Sequence, residues 1–148
     1  MMPLPFSVAW FGVAIAVAQI AALAWHLQRR YAGLPKRIPT GLRFDGRPRA
    51  AGPKAFLWLA PAILAAVMVA LVTAMIVDPQ ADEKRLTMLF VFLVIAEVAW
   101  LCEWTTDRQV ELARGITHRI APSRMLLVIL PILATIGVLI AVAITQSL

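Results

Sequence analysis

Four apolar runs, Phe6–Leu27, Ala55–Val77, Leu86–Trp104 and Met125–Thr145, constrain this chain more than any other feature. Each is close to the roughly 20 residues that a helix needs to cross the hydrocarbon core of a bilayer. Inside lipid every backbone N–H and C=O must be satisfied within the segment, and the runs lack the alternation of barrel strands. The expected fold is an all-α membrane protein with four transmembrane helices, two helix–loop–helix hairpins forming one domain over residues 1–148. Composition agrees, with 61% hydrophobic and 15% charged residues, where soluble domains carry roughly 25% charge. The first run has no lysine or arginine before it and no small-x-small site with polar flanks, unlike a cleavable signal.

The charges sort by connection. Residues 28–54 carry eight cations (Arg29, Arg30, Lys36, Arg37, Arg43, Arg47, Arg49, Lys54) against Asp45 alone. Residues 78–87 carry Asp78, Asp82 and Glu83 against Lys84 and Arg85, and residues 105–124 carry four arginines against Asp107 and Glu111. The positive-inside bias then puts the first and third connections in the cytoplasm, an N-out/C-out arrangement. A pI near 10.8 could suit nucleic acid, but these cations flank membrane spans. There they anchor orientation and attract anionic lipid headgroups, at about 1 kcal/mol each. The expected partners are the bilayer, its anionic headgroups, and a membrane protein or a second copy of the chain, with no nucleic acid.

The chain also reads as two units, 6–77 and 86–145, joined to an ordered basic loop, 28–54. Lys54 is followed at a fixed interval by Pro61 and an Ile-Leu-Ala tract, as Arg124 is by Pro131. Trp25 precedes Arg29 by four residues, as Trp104 precedes Arg108. Pro61 and Pro131 are expected inside the second and fourth helices as kinks, either for packing or as hinges. Alanine ladders at Ala14, Ala18 and Ala22, and at Ala62, Ala66, Ala70 and Ala74, predict a tightly packed first hairpin. Gly137 and Ala141 form a shorter version in the fourth helix. Asp78-Pro79, with Asp82 and Glu83, reads as the start of a long third helix that Gly115 stops.

Few polar groups lie deep in the spans. Glu97 is the foremost, flanked by Ile95, Ala96, Val98 and Ala99, and an ionisable group there faces a bundle interior and marks a partner or pathway. Gln19 and Thr73 are candidate hydrogen-bond partners. A proton or cation route, a subunit contact, and a protonated carboxyl bonded to a neighbouring helix all fit. Glu103, Asp107 and Glu111 repeat every four residues as an acidic stripe whose mutual repulsion needs compensation, for which the basic loop is the expected source. His26 and His118 show no ligand spacing, and one cysteine, Cys102, makes no disulfide. No catalytic motif, metal set or cofactor signature is present, so an enzyme is not expected.

The loop has a pattern of its own: Tyr31-x-x-Leu34-Pro35-x-x-Ile38-Pro39-Thr40, then Gly46-x-Pro48 and Lys54. It resembles the domain-of-unknown-function segment of SdpI-type bacterial membrane proteins, roughly Y-P-x-L-P-x-x-I-P-x-H-F…G-x-P-D…K, across residues 31–65. The family's histidine, phenylalanine and acid fall on Gly41, Leu42 and Arg49. The resemblance implies a non-enzymatic, immunity-like or accessory protein of the bacterial inner membrane, working through a partner protein, peptide or lipid. A small transporter or channel subunit using Glu97 is the alternative. Proline-fixed φ angles predict an ordered, non-helical cap with Tyr31, Leu34, Ile38 and Phe44 turned to the interface. Reporters fused after Pro48 and after Gly115 should both report the cytoplasm; periplasmic signal from both would reverse the orientation.

Overall fold

The computed structural model describes residues 6–40, 43, 45, 47–78, 85–116 and 121–147. Helix α1 (Phe6–Tyr31) leads into a ribbon of two short strands, β1 (Arg37–Pro39) and β2 (Ala51–Pro53). A 3-10 turn, Lys54–Trp58, then feeds α2 (Leu59–Val77), followed by α3 (Arg85–Ala113) and α4 (Pro122–Ser147). Four helices are long and apolar enough to cross a membrane, over Val8–Tyr31, Lys54–Val77, Leu86–Ala113 and Ser123–Thr145. The chain is an all-α, multi-pass membrane protein. Its third helix, 29 residues long, extends about 44 Å, beyond the roughly 30 Å hydrocarbon core.

The central interface joins α1 to α3, which are not neighbours in sequence. Three contacts share one offset of 77 residues: Gly12 with Leu89, His26 with Glu103, and Arg30 with Asp107. The two helices therefore run parallel and in register. On α1 the seam passes through Ala9, Gly12, Ala16, Gln19, Leu23, His26 and Arg30, alternating intervals of three and four. That is the seam spacing of left-handed coiled coils. On α3 it passes through Phe92, Ala96, Ala99 and Glu103. Ala16, Phe92 and Ala99 are fully buried, and Leu23 nearly so. A Cβ at Gly12 would stand 3.1 Å from Leu89 Cδ1 and Phe92 Cβ and 3.3 Å from the Leu89 carbonyl. The backbones approach there because that side chain is missing.

The alanine ladders do not form the tight hairpin that their spacing predicts. Ala14 and Ala18 are exposed, as are Ala62, Ala66, Ala70 and Ala74, and so are Gly137 and Ala141. Alanines four apart make a flat face but supply neither the notch of a glycine nor a knob to fill it. The opposite face of α1 offers both, and α3 takes it. Helix α2 buries Pro61, Leu64 and Met68, with Leu71, Val72 and Met75 partly buried against the same core, and α4 lies on α3 through Val128 and Ile132.

The prolines occupy different situations. Helix α2 starts at Leu59, so Pro61 lies in its first turn and not one and a half turns in. An N–H there has no intrahelical acceptor, so Pro61 marks the handover from the 3-10 turn without breaking a helix. Pro131 sits well inside α4 and leaves the Leu127 carbonyl without its backbone donor. Asp78 is the C-terminal cap of α2, its N–H bonded to Ala74 O at 2.9 Å. Pro79, Asp82 and Glu83, read from the sequence as the start of the third helix, lie outside the described residues. At the far end of α3, Gly115 takes φ 72°. Its N–H reaches Leu112 O and that of Ile116 reaches Glu111 O, the paired closure that needs a left-handed residue.

Replacing Gly12 by leucine should separate α1 from α3 and cost about 1–3 kcal/mol, read as a lower unfolding temperature in detergent. Gly137→Ala, whose new methyl meets nothing within 4 Å, should leave that temperature unchanged.

Candidate functional site

The polar side chains of the α1–α3 seam gather at its basic end. Glu103 sits at the centre: Gln19 Nε2 donates to its Oε2 at 2.9 Å, and His26 Nε2 lies 3.3 Å from its Oε1. One turn further, Arg30 donates to Asp107. Arg108 donates to Glu111 Oε2 at 2.6 Å within α3. Of the eight cations counted between residues 28 and 54, Arg30 pairs with the acidic stripe, from the last turn of α1, and Gln19, His26 and Arg108 supply the other contacts. The reason is geometric: parallel registered helices hold the partners opposite each other, whereas a loop cation would lose its side-chain freedom to reach them. Both Trp-x-x-x-Arg pairs are cation–π contacts, with Arg29 4.5 Å from the Trp25 ring centroid and Arg108 5.9 Å from that of Trp104.

Glu97 turns to α4, where Thr135 Oγ1 donates to its Oε1 at 2.7 Å. Its Oε2 is buried without a hydrogen-bond partner among the described residues. Neither partner that the sequence suggests is used: Gln19 belongs to Glu103, and Thr73 is exposed, bonding back to Val69 O at 2.8 Å. Glu97 and Glu103 are six residues apart, which turns them about 240° around α3. One carboxylate faces α4 and the other α1, so the described polar groups form two separate pairings and no continuous track.

The loop forms a cap over the basic end. In the ribbon Arg37 pairs with Pro53, Ile38 with Gly52 and Pro39 with Ala51, antiparallel. A Cβ at Gly52 would fall 2.2 Å from the Thr40 methyl, so glycine is what lets the strands close there. Thr40 Oγ1 donates to Ala50 O at 2.9 Å, and Lys54 Nζ donates to Tyr31 O at 3.1 Å while lying 4.4 Å from the Tyr31 ring centroid. Tyr31 in turn leans on Trp58, centroids 6.1 Å apart. Leu34 and Ile38 are buried with Leu27, Leu57 and Val110. Leu34 and Ile38 lie outside the four candidate spans, where burial of a leucine or isoleucine from water is worth about 1.5–3 kcal/mol. Pro35 and Pro48 are exposed and Pro39 half-buried. Gly46, Phe44, Gly41, Leu42 and His118 lie outside the described residues.

Gln109 is a residue that charge and motif do not single out. It is buried, 6% exposed, and lines a cavity of about 240 Å³ under the ribbon with Ile38, Phe56, Cys102 and Thr105. Its interval from Cys102 and Thr105, seven and four residues, places all three on one face of α3, and that periodicity is the signal available in the sequence. Thr105 and Thr106 spend their hydroxyls on the carbonyls of Leu101 and Cys102, each at 2.8 Å. Among the described residues no three histidine, cysteine or carboxylate side chains come together as a metal-ligand set.

Thr135→Val should lower stability by about 1 kcal/mol, the usual scale of a hydrogen bond between membrane helices, measured by unfolding in mixed micelles. Glu97→Gln should change it less, because the amide oxygen still accepts from Thr135. Compared with family models, curated proteins and solved structures, the chain finds no match in any of the three.

Proposed function

We propose that this chain is a small, non-enzymatic accessory protein of a bacterial cytoplasmic membrane, of the kind its loop motif resembles. Its basic connections lie on the cytoplasmic side, and it acts by presenting the capped end to a partner protein, peptide or lipid. One observation carries this reading. The acids of the stripe find their partners on the helices, whereas Lys36, Arg37, Arg43 and Arg49 are exposed and enter no ion pair among the described residues. The surplus positive charge therefore sits on a segment pinned by the ribbon and by Leu34 and Ile38. A charged surface steers an oppositely charged partner, and a pinned one loses little freedom on binding.

The alternative, a transporter or channel subunit, has the buried Glu97 Oε2 in its favour. It lacks the relay: Glu97 and Glu103 face different helices, and Thr73 points away from both.

Purification from the native membrane in mild detergent, with mass spectrometry of what accompanies the chain, tests the proposal. Charge reversal at Lys36, Arg37, Arg43 and Arg49 should cut capture of the accompanying partner by at least about tenfold. Proteoliposomes should show no proton or cation flux. A flux abolished by Glu97→Gln would replace this reading with transport.

A further inference from the structure

Helices α1 and α2 part on one side and leave an apolar trough of about 540 Å³. Val17, Ala21 and Ala24 of α1 form one wall, and Trp58, Ala62 and Ala65 the other. Its walls are low because alanine has only a methyl group, and no charged side chain lines it. Along α2 the trough runs from Trp58 to Val69, eleven residues and about 16 Å at helical rise. That is half of the roughly 30 Å hydrocarbon core, the depth of one leaflet. A transmembrane helix of a partner would need a groove of the full depth. A single hydrocarbon chain fits this one.

The two ends differ. At the Trp58 end stands Lys54, one turn before Trp58; Arg29, five residues beyond Ala24, is turned about 140° from it around α1 and lies off the trough. Arg29 is exposed, lying on the face of Trp25. Lys54 spends one donor on Tyr31 O and has two more. At the other end, Met68 and Val69 lead into residues that are apolar except Thr73, with no charged side chain before Asp78. A cation at one mouth and none along the trough suit a molecule with a negative head and one long apolar tail.

We propose that the α1–α2 trough binds one acyl chain of an anionic phospholipid from the leaflet on the basic side, with its phosphate at Lys54. The inference rests on the trough and its mouth, and not on the identity of the partner that the cap receives. The lipid fills a gap that the alanine faces leave, so it holds α2 against the α1–α3 pair, where the protein's own contacts are sparse.

The test uses the full chain in nanodiscs of phosphatidylcholine with and without phosphatidylglycerol, read by unfolding temperature and by native mass spectrometry of retained lipid. Wild type should keep one phosphatidylglycerol and unfold at a higher temperature with it. Ala62→Phe with Ala65→Phe should lose both effects, and Ala65→Leu alone should weaken them if the double variant does not fold. Lys54→Gln should lower phosphatidylglycerol affinity about fivefold, the worth of one cation near anionic lipid, and Arg29→Gln, off the trough, should not. Ala66→Phe, exposed beside the trough but outside its lining, should change nothing.

Equal retention of phosphatidylcholine would overturn the anionic assignment, and undiminished binding in the filled-trough variants would place the lipid elsewhere on the basic surface. A wild-type dimer that the filled variants dissociate would make a second copy the occupant. No lipid retained at all would end the proposal. Partner capture by the cap, assayed on the same variants, separates these outcomes from failure of the accessory-protein reading.

Discussion

Lipid gives two apolar helices no reason to prefer each other to acyl chains, and the architecture depends on how α1 and α3 overcome this. Their seam does it twice. In its apolar half Gly12, Ala16 and Ala99 let the backbones close until dispersion contacts accumulate around Phe92. In its basic half, Gln19, His26 and Arg30 meet Glu103 and Asp107. Registered pairing brings Leu27 and Val110 to one level, and these make the floor on which Leu34 and Ile38 settle. Past the lipid, water is again the competitor and apolar burial regains its driving force. The cap is thus held by a different force from the helices beneath it, on the same pair of elements.

The spans could be read from the sequence because bilayer thickness, an external ruler, sets their length. Their neighbours could not. An alanine every four residues announces a flat face without saying what lies on it, and here the answer is no other helix. The alternating three–four interval from Ala9 to Arg30 was equally present, yet it mixes glycine, aliphatic and charged residues and so does not stand out in an oily sequence. Thr135 as the partner of Glu97 was hidden for another reason: it requires the register of the α3–α4 hairpin, which composition does not encode. The loop was the opposite case. Proline and glycine restrict the backbone locally, and the described strands Arg37–Pro39 and Ala51–Pro53 carry both. Of the side chains read as turned to the interface, Leu34 and Ile38 are buried, Tyr31 is half-buried, and Phe44 lies outside the described residues. What anchors the acidic stripe was legible as a need and not as an answer, since charge counts carry no geometry.

Order of synthesis meets this architecture awkwardly. The central contact joins the first span to the third, so nothing made before residue 85 can complete it. Until α3 emerges, α1 must wait in the bilayer with Gln19 and His26 facing lipid or borrowed water, beside an α2 that grips it only loosely. The nascent chain therefore passes through a stage in which its most polar membrane surface has no protein against it. A chain built this way is most vulnerable to membrane quality control while it is two helices long, and the arrival of Glu103 is the event that ends that exposure.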